Sequence, residues 1–259
     1  MSKELTLIIL TFNEEKNIEK TLLSVEGLAE HTLVWDSFST DKTPSIVAQF
    51  PFCKLVQHKW NGWVEARNQA ALYAQTDYVL FLDADEVPDS ELYQAILAEK
   101  RKEFPHQSYL LNRLNHIGKR PIKSGAWYPD IKLRLYDKKC VQWKGGSVHE
   151  YAITSDSKSH MLPGMLNHYS FAHPSELWPK ARKYAALASR DLENKGALIL
   201  CFKLLVSPLS RFVRDYFIKK GFTAGYLGFA IANATAYEVG LKYKMALQHK
   251  LFGKQTRIG

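Results

Sequence analysis

Near its start the chain carries an uninterrupted apolar run, Leu5 to Leu10, that breaks into polar Thr11, Asn13 and Glu14. A strand apolar at every position is covered on both faces, as a central parallel strand opening into a loop would be. Asn13 is a candidate cap for a helix predicted from Glu14 to Val25, where Ile18, Leu22 and Val25 recur at helical spacing among Lys and Glu. Thr32 to Trp35 is a second short strand ending at Asp36. Thr43 and Pro44 then cap and open a helix carrying Ile46, Val47 and Phe50. Cys53 to Gln57, Val64 to Ala74 and Tyr78 to Leu82 read as strand, helix and strand, the last ending at Asp83. This alternation predicts an open α/β sheet covered by helices.

Beyond it, Asp89 or Ser90 caps a helix with Leu92, Ile96 and Leu97 inward, and strands are predicted at Tyr109 to Leu114, Ile131 to Tyr136 and Val141 to Trp143. The alternation of Ile131, Leu133 and Leu135 predicts a strand buried on one side. From Pro174 helices take over. They run from Glu176 to Lys195 with Gly196 as C-cap, from Leu198 to Val206, from Leu209 to Lys220, and from Gly225 to about His249. The expected organisation is an α/β domain over 1–173 and a helical extension over 174–259.

Composition changes this picture little, but charge changes it more. Of 259 residues 46% are hydrophobic and 24% charged, a balance that excludes disordered, collagenous and coiled-coil chains. Cys53, Cys140 and Cys201 form no C-x-x-C pair, so neither a disulfide framework nor a thiolate zinc site is expected, and a reducing compartment fits. The net charge of +9 is divided unevenly: residues 1–118 hold 11 Lys and Arg against 17 Asp and Glu, whereas residues 119–259 hold 24 against 9. The basic half suits an anionic partner. Leu5 to Leu10 is too short for a signal-peptide core, and the uncharged stretch from Gly221 to Tyr237 is too short and too rich in Gly, Ala and Asn for a membrane span. A nucleic-acid role lacks any recognition motif, and acidic strand ends would repel the backbone. Nothing in the pattern ranks monomer against dimer.

In an open α/β sheet, ligands bind beyond the carboxyl ends of the strands, and three such ends are polar here: Thr11/Asn13/Glu14, Asp36/Ser39/Asp41 and Asp83/Asp85/Glu86. None belongs to a glycine-rich phosphate loop. Asp83-Ala84-Asp85 offers another way to hold phosphate, because two carboxylates in a tight loop grip Mg²⁺ or Mn²⁺, which in turn neutralises a diphosphate. The plain alternative for such a triplet is a capping or solvated turn.

These segments, Thr11-Phe12-Asn13-Glu14-Glu15, Asp36-Ser37-Phe38-Ser39-Thr40-Asp41 and Phe81-Leu82-Asp83-Ala84-Asp85-Glu86, resemble the family 2 glycosyltransferases of the GT-A fold. The resemblance implies that Thr11, Asn13, Glu14 and Asp36 contact the nucleotide, with Ser39 and Asp41 beside them, and that Asp83, Ala84 and Asp85 hold the metal and sugar diphosphate. It implies a divalent metal and a UDP-sugar donor. Phe38 departs from the pattern, since that loop commonly has glycine there. Trp63-Val64-Glu65-Ala66-Arg67-Asn68 looks like the family helix whose Arg-Asn pair reaches toward the nucleotide; Arg67 brings a rigid five-donor fork suited to phosphate.

A second block, Gly125-Ala126-Trp127-Tyr128-Pro129-Asp130 through Arg134-Leu135-Tyr136, then Gly145-Gly146-Ser147-Val148-His149-Glu150, resembles a bacterial branch typified by lipopolysaccharide inner-core glucosyltransferases. By that resemblance Glu150 is the general base; His149, Asp130 and Arg134 are candidate acceptor contacts, Arg134 for the fit of its fork to phosphates or acidic sugars, and His168 and Tyr169 are candidates to close the donor site beside the acceptor. The expected activity is inverting, metal-dependent transfer of a hexose, with UDP-glucose as leading donor, to a heptose of the lipopolysaccharide or lipooligosaccharide inner core. Capsule or another surface glycolipid is the alternative acceptor. The expected location is the cytoplasmic face of the bacterial inner membrane, where Arg211, Arg214, Lys219, Lys220, Lys242 and Lys244 would meet anionic lipid.

Overall fold

The structure is a computed structural model that describes residues 3–145, 150–154, 158–192 and 194–253. The chain forms two compact units: Met1–Leu114 with Pro129–Ser170, and Asn115–Tyr128 with Phe171–Gly259. The sequence boundary at 173 therefore lies three residues beyond the structural one, and the segment 115–128 belongs with the helices.

The first unit opens with β1 (Leu5–Thr11), α1 (Ile18–Ser24), β2 (His31–Asp36), α2 (Thr43–Val47), β3 (Cys53–Gln57), α3 (Trp63–Tyr73) and β4 (Tyr78–Asp83). There follow β5 (Glu86–Pro88), α4 (Ser90–Arg101), β6 (Ser108–Ile117), β7 (Arg120–Pro121), β8 (Asp130–Asp137), β9 (Val141–Gly145), β10 (Glu150–Thr154) and β11 (His160–Phe171), with β7 and the last residues of β6 and β11 in the second unit. The sheet order is β3-β2-β1-β4-β8-β6-β11-β5, while β9 and β10 make a separate antiparallel hairpin. Strands β3, β2, β1 and β4 are mutually parallel and β8 runs against β4, so the sheet is mixed beyond its parallel core.

The period of two in β1 explains its burial. Leu5, Leu7 and Ile9 pack with Ile18 and Leu22 of α1 and Leu92 and Ile96 of α4, while Ile8 and Leu10 pack with Ala70 of α3 and Ala74 just past its end. Each such Leu or Ile contributes about 1.5–3 kcal/mol on burial. Because the strands are parallel and in register, Thr11 lies opposite Asp36 and Leu10 opposite Asp83. Three polar strand ends thus meet at one edge of the sheet.

Several local expectations change. Asn13 has a left-handed backbone (φ 54) and caps no helix; α1 starts at Ile18. The cap of α4 is Asp89, whose carboxylate accepts from Leu92 N at 2.8 Å and from Met165 N of β11 at 3.0 Å. Gly164 makes that close approach possible, since a Cβ there would run into the backbone of Leu92. Strand β8 is not one-sided: Ile131 is exposed, whereas Arg134, Leu135 and Tyr136 are all buried. Strands β10 and β11 add pairing that the sequence pattern did not suggest.

The second unit is built on α5 (Leu177–Arg190), α6 (Ala197–Val213) and α7 (Gly225–Phe252). Ile117, Ile122, Leu177, Leu227, Ala230 and Ile231 form its core. Gly196 ends no helix and instead precedes α6, and α6 runs unbroken through Pro208 where two helices were expected. The proline ring is received by Gly240 of α7, where a Cβ would come within 3.2 Å of it. No helix among the described residues is long and apolar enough to cross a membrane.

Candidate active site

The ends of β1 and β2 are laced together. Asp36 is fully buried; its Oδ1 accepts from the Ser39 hydroxyl, and its Oδ2 accepts from Ser39 N at 3.0 Å and from the Gln57 amide at 3.1 Å. Ser39 Oγ in turn accepts from Asn13 N at 2.8 Å, and Asn13 Oδ1 accepts from Thr40 N at 2.8 Å. Asp41 accepts from Glu15 N and Thr43 N, and the Thr43 hydroxyl accepts from Glu14 N. Five of the six residues expected at the nucleotide thus enter two hydrogen-bonded sets that tie the two loops together, Asp36 and Ser39 with Asn13 in one and Asp41 with the Glu14–Glu15 backbone in the other, while Thr11 stands beside them at the end of β1. Among the described residues the buried Thr11 hydroxyl has no partner.

Phe38 adopts φ +60 with its ring largely exposed, which is the backbone a glycine would take. The loop keeps that shape at a cost, since a side chain in the left-handed region is disfavoured by about 1–2 kcal/mol. Phe38→Gly should therefore raise stability by about 0.5–1 kcal/mol after allowing for the freer unfolded chain, read as a higher denaturant midpoint. A lower midpoint would show that the ring makes contacts worth more than the strain.

At the end of β4 lies a cluster of carboxylates and guanidiniums. Arg134 of β8, only 2% exposed, donates from Nη2 to Asp83 Oδ2 at 2.7 Å and also to Glu86, which is completely buried. Glu86 further accepts from Arg113 of β6 at 3.2 Å and, through Oε2, from Asp83 N at 3.0 Å. Arg113 also pairs with Asp130 at 2.7 Å, and Lys132 reaches the other Asp130 oxygen at 3.0 Å. Burial pushes the Asp83 carboxyl up, but Arg134, then Arg67 and Arg113, outweigh it and hold it well below the usual carboxylate range. Burial likewise opposes ionisation of Asp130, and Arg113 and Lys132 overcome it.

Arg134 and Asp130 were expected on the acceptor side; here Arg134 braces Asp83, and Asp130 pairs with Arg113 and Lys132. Glu86 and Arg113 were missed as site residues. Glu86 follows the D-x-D triplet directly and carried a signal; Arg113, in an ordinary strand, carried none.

Arg67 projects from α3 toward the same place. Its guanidinium carbon lies 4.7 Å from the centre of the Trp143 ring and 5.8 Å from that of Phe81, and Nη2 donates to Glu150 Oε1 at 3.4 Å. Burying a guanidinium without partners is costly, yet among the described residues Arg67 Nε and Nη1, Glu150 Oε2 and Asp83 Oδ1 are buried with none. Such a set of donors and acceptors is what a bound water, ion or ligand would complete. Asn68 does not join it: its amide donates to Trp143 O at 3.0 Å and accepts from Trp143 N at 3.1 Å, so both arms fasten α3 to β9.

Ala84 is buried, and its carbonyl accepts from Thr21 of α1 at 2.7 Å, which fixes the turn between the two aspartates. Asp85 lies 3.3 Å from His168 Nε2 and accepts from the Ser170 hydroxyl at 3.3 Å, and its carbonyl accepts from Tyr169 N. The Tyr169 ring faces the Lys20 ammonium at 3.4 Å. His168 and Tyr169 thus buttress Asp85. His149 lies outside the described residues. No group of three His, Cys, Asp or Glu side chains is arranged to hold a metal among the described residues. Asp83 Oδ1 and Asp85 nevertheless suit Mg²⁺ or Mn²⁺ shared with phosphate oxygens and water, since such ions take oxygen donors and often few of them from protein.

The profile of "Glycosyl transferase family 2" matches residues 6–154, more than half of the chain. The chain belongs to that family. This family 2 glycosyltransferase is 28% identical over 238 residues to an uncharacterized glycosyltransferase of Rickettsia typhi, covering 88% of this chain and 81% of the other. It is 25% identical over 240 residues to the lipopolysaccharide core biosynthesis glycosyltransferase LpsC of Rhizobium meliloti, covering 87% and 85%. Among solved structures, S. aureus TarS 1-349 in complex with UDP-GlcNAc aligns with 98% of this chain and 93% of its own at 15% identity and a TM-score of 0.46. The parallel β3-β2-β1-β4 core with polar strand ends, in a member of this family, is the GT-A architecture.

Proposed function

We propose that this family 2 glycosyltransferase is inverting and metal-dependent, and that it moves a hexose from a nucleotide diphosphate sugar, UDP-glucose foremost, to a heptose of the lipopolysaccharide or lipooligosaccharide inner core at the cytoplasmic face of the inner membrane. The observation that carries the chemistry is the contact of Glu150 with Arg67, with unsatisfied atoms on both and on Asp83 beside them. A base and a phosphate-binding fork within one site are the two groups that displacement at an anomeric carbon uses, one for the incoming hydroxyl and one for the departing diphosphate. The reading of the acceptor is supported by the similarity to LpsC along most of both chains.

The acceptor hydroxyl oxygen forms the new bond to the anomeric carbon as Glu150 Oε2 takes its proton. The bond from that carbon to the diphosphate breaks on the opposite face, and its electron pair departs with the diphosphate. Arg67 Nε and Nη1 donate to the phosphate oxygens as that charge grows, in a pocket walled by Trp143 and Phe81 where such bonds are strong. A divalent ion held by Asp83 and Asp85 would neutralise further charge on the diphosphate. Asp36 and the rim around it hold the nucleoside.

Titration with UDP-glucose, with and without Mn²⁺, tests this. Mn²⁺ should tighten binding in the native protein, and Asp85→Asn should cut that gain by at least about tenfold, as loss of a metal partner typically does. Binding indifferent to Mn²⁺, or unchanged in the variant, overturns the metal assignment, and tighter binding of another nucleotide sugar overturns the choice of donor.

A further inference from the structure

The second unit carries none of the candidate site residues and presents an apolar surface of its own. Helix α6 packs along α7 through one row of side chains, beginning with buried Leu200 and ending past the helix at Asp215. The opposite row is equally apolar and faces outward: Leu198 is 86% exposed, Phe202 63%, Leu205 77% and Leu209 67%. The spacing of four, three and four places these side chains on one stripe. The stripe is prolonged by exposed Phe217 and Ile218 beyond the end of α6. An outward row this apolar calls for cover by protein or lipid, because each large side chain left in water forgoes about 1.5–3 kcal/mol.

The charges beside this stripe say which. Residues 197–220 carry five basic side chains, Lys203, Arg211, Arg214, Lys219 and Lys220, against one acid, Asp215. That acid is buried and engaged by Arg211, Arg214 and Thr235. The exposed charge along the stripe is therefore entirely positive. A second copy of the chain would bring the same positive fringe against itself, which costs rather than gains energy. An anionic bilayer satisfies both features: acyl chains receive the apolar row and headgroup phosphates receive the Lys and Arg, each worth about 1 kcal/mol near such a surface. At 17 residues α6 is about 25 Å long and interrupted by Lys203, Ser207 and Pro208, so it lies along the interface and does not cross it.

We propose that α6 is an in-plane membrane anchor, inserting the Leu198–Phe202–Leu205–Leu209 stripe into the headgroup boundary of an anionic phospholipid bilayer. The anchor is a property of the second unit and stands whichever sugar hydroxyl the enzyme uses. It is tested by flotation of the full chain with phosphatidylcholine vesicles, with and without phosphatidylglycerol, at physiological salt. The native protein should float with the anionic vesicles and largely fail to do so with the neutral ones. The triple variant F202E/L205E/L209E changes only outward side chains, so it should keep its melting temperature and UDP-glucose binding while losing at least about tenfold in vesicle affinity. K219Q/K220Q should weaken binding to anionic vesicles and leave the weak binding to neutral ones unchanged. Native protein that stays unbound with phosphatidylglycerol vesicles overturns the proposal. So does a triple variant that floats like the native chain, or native dimers that the triple variant dissociates with no vesicle binding by either.

Discussion

Glu150→Gln should reduce sugar transfer by about 10²- to 10⁴-fold while leaving affinity for the nucleotide sugar within a few-fold of native. The amide keeps the shape of the side chain and can still accept from Arg67 through its oxygen, so the 3.4 Å contact survives. What it loses is the capacity of Oε2 to take a proton. The effect should fall on kcat and hardly on donor KM, because the acceptor hydroxyl must be deprotonated only as the bond to the anomeric carbon forms. A companion change, Arg67→Met, should do the reverse on the donor side, weakening diphosphate binding. Turnover by Glu150→Gln at the native rate would place the base elsewhere.

Arg134→Met should destabilise the fold by about 3–5 kcal/mol, the usual result of removing one partner from a buried ion pair. Arg134 is the cation that lies between Asp83 and Glu86. Without it Glu86, completely buried, would keep Arg113 as its one ion-pair partner among the described residues, beside the Asp83 N–H, and Asp83 would lose its 2.7 Å partner. The measurement is the denaturant midpoint, with Arg134→Lys as control; a point charge should recover part of the loss but not the two-carboxylate geometry of the fork. A midpoint within about 0.5 kcal/mol of native for Arg134→Met would mean the cluster behaves as a solvated surface network.

The parts of this enzyme written as local patterns were legible before the structure. Leu5 to Leu10 and Tyr78 to Leu82 are apolar runs ended by polar residues, and both become buried parallel strands whose ends carry Thr11 and Asp83. The parts that depend on distant pairing were not. Arg134 was expected at the acceptor because its fork suits phosphates or acidic sugars; its burial follows from Glu86 and Asp83, about fifty residues earlier. Asn68 sits on a helix whose periodicity gives no hint that its amide would bond the backbone of Trp143. Two helices were expected on either side of Pro208, yet α6 runs through it, its ring packed against Gly240 of α7, a contact the local pattern does not show. Asn13 has the composition of a cap, but its side chain bonds Thr40 of the neighbouring loop more profitably than its own helix.

If these loops hold the nucleoside as proposed, the interlacing of Asn13, Ser39, Thr40 and Asp41 bears on how the enzyme chooses among nucleotides. Loops that arrive already fastened to each other lose little further conformational entropy when a nucleoside enters, and equally cannot reshape themselves around one of the wrong outline. Selection at this rim would then act by exclusion, and the difference between good and poor donors should appear chiefly in how quickly the poor ones leave.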